Sequence, residues 1–285
     1  MVTVVAAAPP AVAAVVGRAP QVPSVPYLQV RDVNQVFGGV SVLEGVNLDI
    51  RRGEFISLIG HSGCGKSTLL NLIAGLLAPT TGSITLDGEP VTKPGADRGM
   101  VFQSHGLLPW LSVLDNVRVP MDAVFRDTRE QKGQAKAERI ERILRAVGLW
   151  EHRDKKPGEL SGGMRQRCAV ARAFAVRPRV LLLDEPFGAV DALTKSTLHD
   201  ELMSLWSTDA GTETVVMVTH DIDEAIYLSD RVVVMSNGPR AHIGAIVDID
   251  LPRPRDKRTL ARLPAYVHAR EQLMSLLMGG GVAIP

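Results

Sequence analysis

Cysteine is nearly missing from this chain: its 285 residues hold two, Cys64 and Cys168, too far apart for a CxxC pair. That argues against a disulfide framework or a cysteine zinc site and suits a reducing cytosol. Net charge is just as scarce, since 32 Lys and Arg against 31 Asp and Glu leave +1. No bulk field draws nucleic acid or an anionic membrane surface, so a charged partner needs a local patch, and nucleic acid is not an expected partner. Long apolar runs are missing too: nothing approaches the ~20 uninterrupted apolar residues of a membrane span, so the chain does not cross a bilayer by itself. Residues 1–26 are rich in Ala and Val, but they lack a basic start and carry Pro9, Pro10, Pro20, Pro23 and Pro26. They read as a disordered tail rather than an export signal. No internal repeat is present.

What is present is globular: 45% hydrophobic and 22% charged residues suffice for one large domain or two modest ones. The runs FISLI (55–59), VLLLD (180–184) and TVVMVTH (214–220) have no polar alternation. They predict strands of a mainly parallel sheet covered on both faces. Helical patterns follow each, at 66–76, 191–206 and 221–230, so the core is α/β. More alternating segments at 28–37, 83–88 and 231–238 predict an antiparallel β layer at one side. Between Ser112 and Ala175 the pattern turns helical, and in 129–149 the residues Ile140, Ile143, Leu144 and Val147 share one face. The C-terminal stretch predicts a Pro/Arg turn with a solvated basic run, then one helix.

The stretch GHSGCGKST (60–68) fits GxxxxGK[ST] directly after a strand and directly before a helix. Gly60, Gly63 and Gly65 let the backbone amides of His61, Ser62, Cys64 and Thr68 curl inward around a β-phosphate, aided by the helix dipole. Lys66 reaches the β and γ oxygens, and Ser67 binds magnesium. Cys64 reads as a small filler, with a reactive thiol as the alternative. VLLLDEP (180–186) ends a buried strand on two acids, which calls for a compensating cation. Asp184 would hold Mg2+ through water, and Glu185 would accept a proton from attacking water. His220 ends another apolar strand; alone it suits a structural role, but the shared rim of the sheet favours a functional one. LSGGM (160–164) opens a further helix, whose N-terminus attracts anions although the first loop already cradles a phosphate.

The order GHSGCGKST, VFQ (101–103), LSGGM, LLLDEPFGAVD and TH (219–220) closely resembles the ATP-binding subunit of ABC transporters, over residues 27 to about 250. The resemblance implies a P-loop NTPase cassette: a mainly parallel core sheet, an antiparallel β layer and a helical subdomain at about 104–178. A short extension follows at 251–285. It implies that Glu185 is the catalytic base, His220 contacts the γ-phosphate, and Gln103 senses magnesium and the membrane partner. Phe37 stacks on adenine. Two cassettes meet head to tail, so Ser161, Gly162 and Gly163 of one clamp the γ-phosphate held by Lys66 of the other, and GAVD, with Asp191, lies against the opposite subunit. Met164 and Val190 depart from the family's usual glutamine and leucine without removing a phosphate ligand.

SHGLLPW (104–110) lies where this family meets a coupling helix of its permease, and Leu107, Leu108, Pro109 and Trp110 form an apolar knob suited to docking. The alternative is that Trp110 packs into its own domain. KPGELSGG resembles importers. LLPW, MSNGPRAHIG (235–244) and LPRPRD (251–256) resemble the branch serving nitrate, sulfonate, taurine and related anions, with SNGP leaning toward nitrate, nitrite, cyanate or bicarbonate. The expected setting is peripheral, on the cytoplasmic face of the bacterial inner membrane. Expected partners are a second ATP-binding subunit, identical or paralogous, a permease and, indirectly, a periplasmic or lipid-anchored anion-binding protein. A soluble non-transport ABC ATPase and a P-loop kinase or GTPase are the rivals; the latter has no use for LSGGM.

Overall fold

A computed structural model describes residues 26–125, 134–188, 190–208 and 211–279. The segment at 1–25, the start of the helix expected at 129–149 and Ala189 of GAVD lie outside the described residues. The three apolar runs are β3 (Phe55–Ile59), β7 (Val180–Asp184) and β8 (Thr214–Val218), and all but Asp184 are buried. They lie side by side in a six-stranded sheet with β6 (Arg98–Val101), β9 (Arg231–Met235) and β10 (Ile243–Asp248), ordered β10-β9-β3-β8-β7-β6. Every pairing is parallel except β9 with β10. Strands buried on both faces have no solvent side to mark with polar residues, which is why the runs read as continuous.

The second sheet is antiparallel, ordered β2-β1-β4-β5, with β1 (Leu28–Phe37), β2 (Val40–Ile50), β4 (Thr81–Leu86) and the short β5 (Glu89–Pro90). The segment at 231–238 was expected in this layer but forms β9, parallel to β3 in the main sheet. The strand itself is apolar after Arg231 and buried from Val232 to Met235, the continuous pattern of the parallel core, and the polar residues of the segment follow its end.

Helix α1 (Lys66–Ala74) fills the space between the sheets: Leu69, Leu70 and Ile73 pack with Leu28, Val30, Ile56 and Leu58. The other face of the main sheet carries α2 (Val113–Val124), α3 (Gln134–Ala146) and α4 (Gly162–Ala175). Ile140, Ile143, Leu144 and Val147 are all buried there against Cys168, Ala171 and Phe174, as the stripe predicts. Each such side chain contributes about 1.5–3 kcal/mol on burial. Arg139 closes the joint by donating to the carbonyls of Phe174 (2.8 Å) and Ala175 (3.1 Å), a cation at the C-terminus of α4.

After β8 come α6 (Ile222–Leu228), then β9 and β10; α5 (Ala192–Thr208) precedes β8. The C-terminal stretch folds as a short α7 (Lys257–Leu260) and α8 (Pro264–Met278), two helices where one was expected. Its basic run is solvated only in part: Arg258 and Arg262 are exposed, but two other arginines are not. Arg253 pairs with Asp230, and the buried Arg255 donates to the carbonyls of Ile226, Tyr227, Ser229 and Leu251. Burial, with Arg253 nearby, brings the Arg255 guanidinium down to about 10. Leu251, Leu260, Tyr266 and Leu273 then seal α8 onto α6 and β9.

Candidate active site

The parallel register brings three chemistries to one rim. Leu58 of β3 and Asp184 of β7 both pair with Val218 of β8, so the loop after β3, the acids after β7 and His220 after β8 emerge in one row. The Glu185 amide donates to the Val218 carbonyl (3.0 Å) and the Thr219 amide to that of Leu58 (3.2 Å), which extends the row past the strands.

Residues 60–65 turn from β3 into α1, which starts at Gly65 with no side-chain cap. Helices α2, α4 and α6 instead carry Ser112, Ser161 and Asp221 as caps. An uncapped N-terminus with His61, Ser62 and Gly63 exposed beside it is an anion site made of backbone. Gly65 is obligatory twice over: its φ is +93°, and an added Cβ would lie 2.7 Å from Leu43 Cδ2 on β2. Lys66 is buried with its ammonium folded onto the carbonyls of Gly60 and His61, both at 2.9 Å, so its charge already sits inside the loop. Cys64 is buried with Sγ 3.7 Å from that ammonium, in accord with the filler role. The other cysteine, Cys168, has its thiol pushed up to about 12 by burial and is inert core.

Ser67 donates to Asp184 Oδ1 at 2.8 Å. Burial raises the Asp184 carboxyl above its usual range, the Ser67 hydrogen bond opposes this, Glu185 adds to it, and Lys66 again opposes it. Such a desolvated carboxylate beside a hydroxyl fits Mg2+, a hard cation that takes one or two carboxylates and fills its remaining sites with water and phosphate oxygens. Among the described residues no cluster of three or more His, Cys, Asp or Glu gathers. Glu185 holds a positive φ of 45°, a strained conformation that aims its carboxylate along the rim. There Gln103 Nε2 donates to Glu185 Oε2 (3.1 Å), and His220 Nδ1 lies 3.7 Å from the same oxygen.

A cleft of about 280 Å³ runs from Ser62 and Gly63 to Val40, Ser41 and Val42 of β2 and to Gly238 and Pro239. Phe37, exposed at the tip of β1, pairs in register with Val40 and so stands at the rim of that cleft without lining it. The place of Gly238 and Pro239 in the cleft carries no local signal in the sequence, and neither does the packing of Leu43 behind Gly65, since it is an apolar strand residue like its neighbours.

Two expected residue sets lie apart from this rim. Ser161 Oγ accepts from the Met164 amide (3.2 Å) and caps α4, and Asp191 Oδ1 accepts from the Thr194 amide (3.0 Å) at the start of α5. That amide draws the exposed Asp191 carboxyl below its usual range. Among the described residues no hydrogen bond joins Ser161, Gly162 or Gly163 to the loop at 60–68. Gly163 also has a reason of its own: a Cβ there would lie 2.7 Å from Thr194 Cγ2 and 3.5 Å from Val190, so α4 and α5 touch through the missing side chain. Met164 and Val190 pack partly against the core. In the segment after Gln103, Leu107 packs onto the core, and Asn116 fixes the backbone of Leu108 and Leu111. The knob therefore reduces to Pro109 and Trp110, and Trp110 at 67% exposure does not pack into its own domain.

A phosphate loop leading into an uncapped helix, with paired acids at the end of a parallel strand one place removed in the same sheet, defines a P-loop nucleotide hydrolase. The sequence model of the ABC transporter family matches residues 43–188, and the chain belongs to that family as an ATP-hydrolysing, ATP-binding cassette. It is 49% identical over 255 residues to the bicarbonate transport ATP-binding protein CmpD of Synechocystis sp., covering 88% of this chain and 89% of that protein. It is 51% identical over 256 residues to the nitrate transport protein NasD of Klebsiella oxytoca, covering 88% and 96%. Against the longer bicarbonate transport ATP-binding protein CmpC of Synechocystis sp. it is 48% identical but spans only 38% of that relative. A solved dimeric ATP-binding cassette in a post-hydrolysis state, bound to ADP and Pi, superposes with a TM-score of 0.69 at 32% identity, over 79% of this chain and 99% of that one. Among the described residues no helix is long and apolar enough to cross a membrane.

Proposed function

We propose that the chain powers an importer of a small anion, nitrate or nitrite, by closing on a second cassette around ATP. The observation that carries the reading is the convergence of Lys66 and Ser67, at the start of the helix after β3, with Asp184 and Glu185 at the end of β7, where Ser67 donates to Asp184 across the one strand between them. Backbone amides of residues 61–67 and the Lys66 ammonium bind the phosphates, Lys66 exchanging two loop carbonyls for phosphate oxygens. Phe37 meets the base across the cleft. Ser67, Asp184 and Gln103 hold Mg2+, which when bound offsets the charge that spreads over the phosphate oxygens. Glu185 takes a proton from water as its oxygen attacks the γ-phosphorus and ADP leaves, with His220 holding the γ-phosphate. Ser161, Gly162 and Gly163 serve the partner's nucleotide, and Asp191 faces the partner.

Changing Lys66 to alanine should lower ATP affinity at least a hundredfold with little change in Tm, measured with a fluorescent nucleotide; unchanged affinity would remove the loop from phosphate binding. Trp110 supplies the permease contact, since an isolated exposed tryptophan gains most from burial in a partner. Trp110→Ser should leave ATP binding intact and weaken co-purification with the permease by about thirtyfold, the size of a ~2 kcal/mol hot spot. The substrate is supported by the similarity to NasD, and a second reading, bicarbonate, by the similarity to CmpD. Nitrate and bicarbonate uptake in a deletion strain separates the two. A periplasmic anion receptor completes the system.

A further inference from the structure

Behind the rim lies a buried charged cluster that the reaction above does not use. Glu224 on α6 is 4% exposed, and its Oε1 accepts from His199 Nε2 (2.8 Å) and Lys195 Nζ (3.1 Å) of α5. Its Oε2 accepts from Thr219 Oγ1. Lys195 Nζ also reaches Asp221 Oδ2 (2.7 Å), and the Asp221 amide donates to Thr219 Oγ1 (3.1 Å). Thr219 and Asp221 are the two neighbours of His220, so Glu224 and Lys195 hold the side chains on both sides of it.

The same cluster touches the other two catalytic segments. Lys195 lies one turn into the helix that Asp191 caps, and its amide donates to the Asp191 carbonyl (2.8 Å). The His199 ring meets Phe187, two residues after Glu185, edge to face at 4.7 Å. A buried ionic cluster adds little net stability over apolar packing, because desolvation offsets the attraction. What it fixes is geometry: an ammonium, an imidazole and a hydroxyl on one carboxylate allow only one arrangement of the segments that bear them.

We propose that Glu224, clamped by Lys195, is a positioning residue that holds His220 and Glu185 in register with the Asp191 segment, so that the rim reaches its hydrolytic geometry. This rests on the roles given above to His220 and Glu185. It places the link between the dimer-facing start of α5 and the site of water attack inside a single chain.

The test uses the full chain, with kcat, KM and nucleotide affinity measured separately. Glu224→Gln keeps the shape and removes the charge, and Lys195→Met removes the partner. Each should lower kcat about tenfold while ATP affinity stays within twofold, and Lys195→Arg should recover at least half of the rate. Adding Glu224→Gln to His220→Ala should slow the enzyme no further than His220→Ala alone. Wild-type kcat in a folded Glu224→Gln variant, an equal loss of ATP binding, or full additivity with His220→Ala overturns the proposal. If Glu224→Gln does not fold, Thr219→Val and Lys195→Met carry the same expectations. A His220→Ala variant at wild-type rate would instead overturn the role given to His220 itself, and a slow one beside an unaffected Glu224→Gln sinks only the positioning.

Discussion

Replacing Glu185 by glutamine leaves ATP bound and nearly stops its hydrolysis. The amide has the shape of the carboxylate and retains an oxygen for the Gln103 donor now 3.1 Å away, so the rim keeps its packing. The strained backbone at residue 185, φ 45°, belongs to Gln as readily as to Glu, and stability should change little. What is lost is basicity at the carboxylate that Gln103 and His220 face, since Asp184 is engaged by Ser67. General-base catalysis is worth about 10² to 10⁴ in rate, and a fall of that size in kcat is expected, with ATP affinity unchanged. The binding energy that hydrolysis would dissipate stays in the complex, so ATP should hold the variant as a dimer in size-exclusion chromatography. Phosphate release at the wild-type rate would remove Glu185 from the base role.

The legibility of this site in the sequence follows from how local each feature is. Lys66 and Ser67 open the helix that follows one apolar run, the acids at 184 and 185 close another, and the parallel pairing Leu58–Val218–Asp184 aligns the runs without further information. The strand β6 has four residues, too few for a period, and β2 alternates irregularly, with Glu44 and Gly45 exposed within it and register shifts against β1. The segment 231–238 mixes an apolar strand, residues 232–235 after Arg231, with the polar residues that follow it, so its composition does not report which sheet the strand joins. The basic run at 253–258 reads as solvated because charge usually is, yet Arg255 is spent on four carbonyls that the C-terminal turns leave open. The cluster at Glu224 is assembled from two helices and a loop, so no window of sequence contains it.

Placing aspartate at Ser161 tests the division of the site between two chains. Ser161 has one visible task within its own chain, to accept the Met164 amide at 3.2 Å and cap α4. Aspartate caps a helix as well as serine does, and its charge suits the helix N-terminus, so Ser161→Asp should leave Tm unchanged or slightly raised. Alanine would confound the result by costing about 1 kcal/mol of cap. Nucleotide binding to the isolated chain should also be unaffected, because no hydrogen bond among the described residues joins Ser161 to the loop at 60–68. Across the interface the outcome inverts. A carboxylate would face the partner's γ-phosphate at close range, where two like charges at an effective dielectric of about 20 repel by roughly 4 kcal/mol at 4 Å. That is nearly a thousandfold at 1.4 kcal/mol per factor of ten, so ATP-dependent dimerisation and steady-state ATPase should fall by about two to three orders of magnitude. A chain that binds ATP normally, melts normally and hydrolyses nothing is the signature of a residue that acts on its neighbour's nucleotide. A parallel loss of binding in the lone chain would place Ser161 on its own nucleotide instead, and unimpaired hydrolysis would take it out of the site.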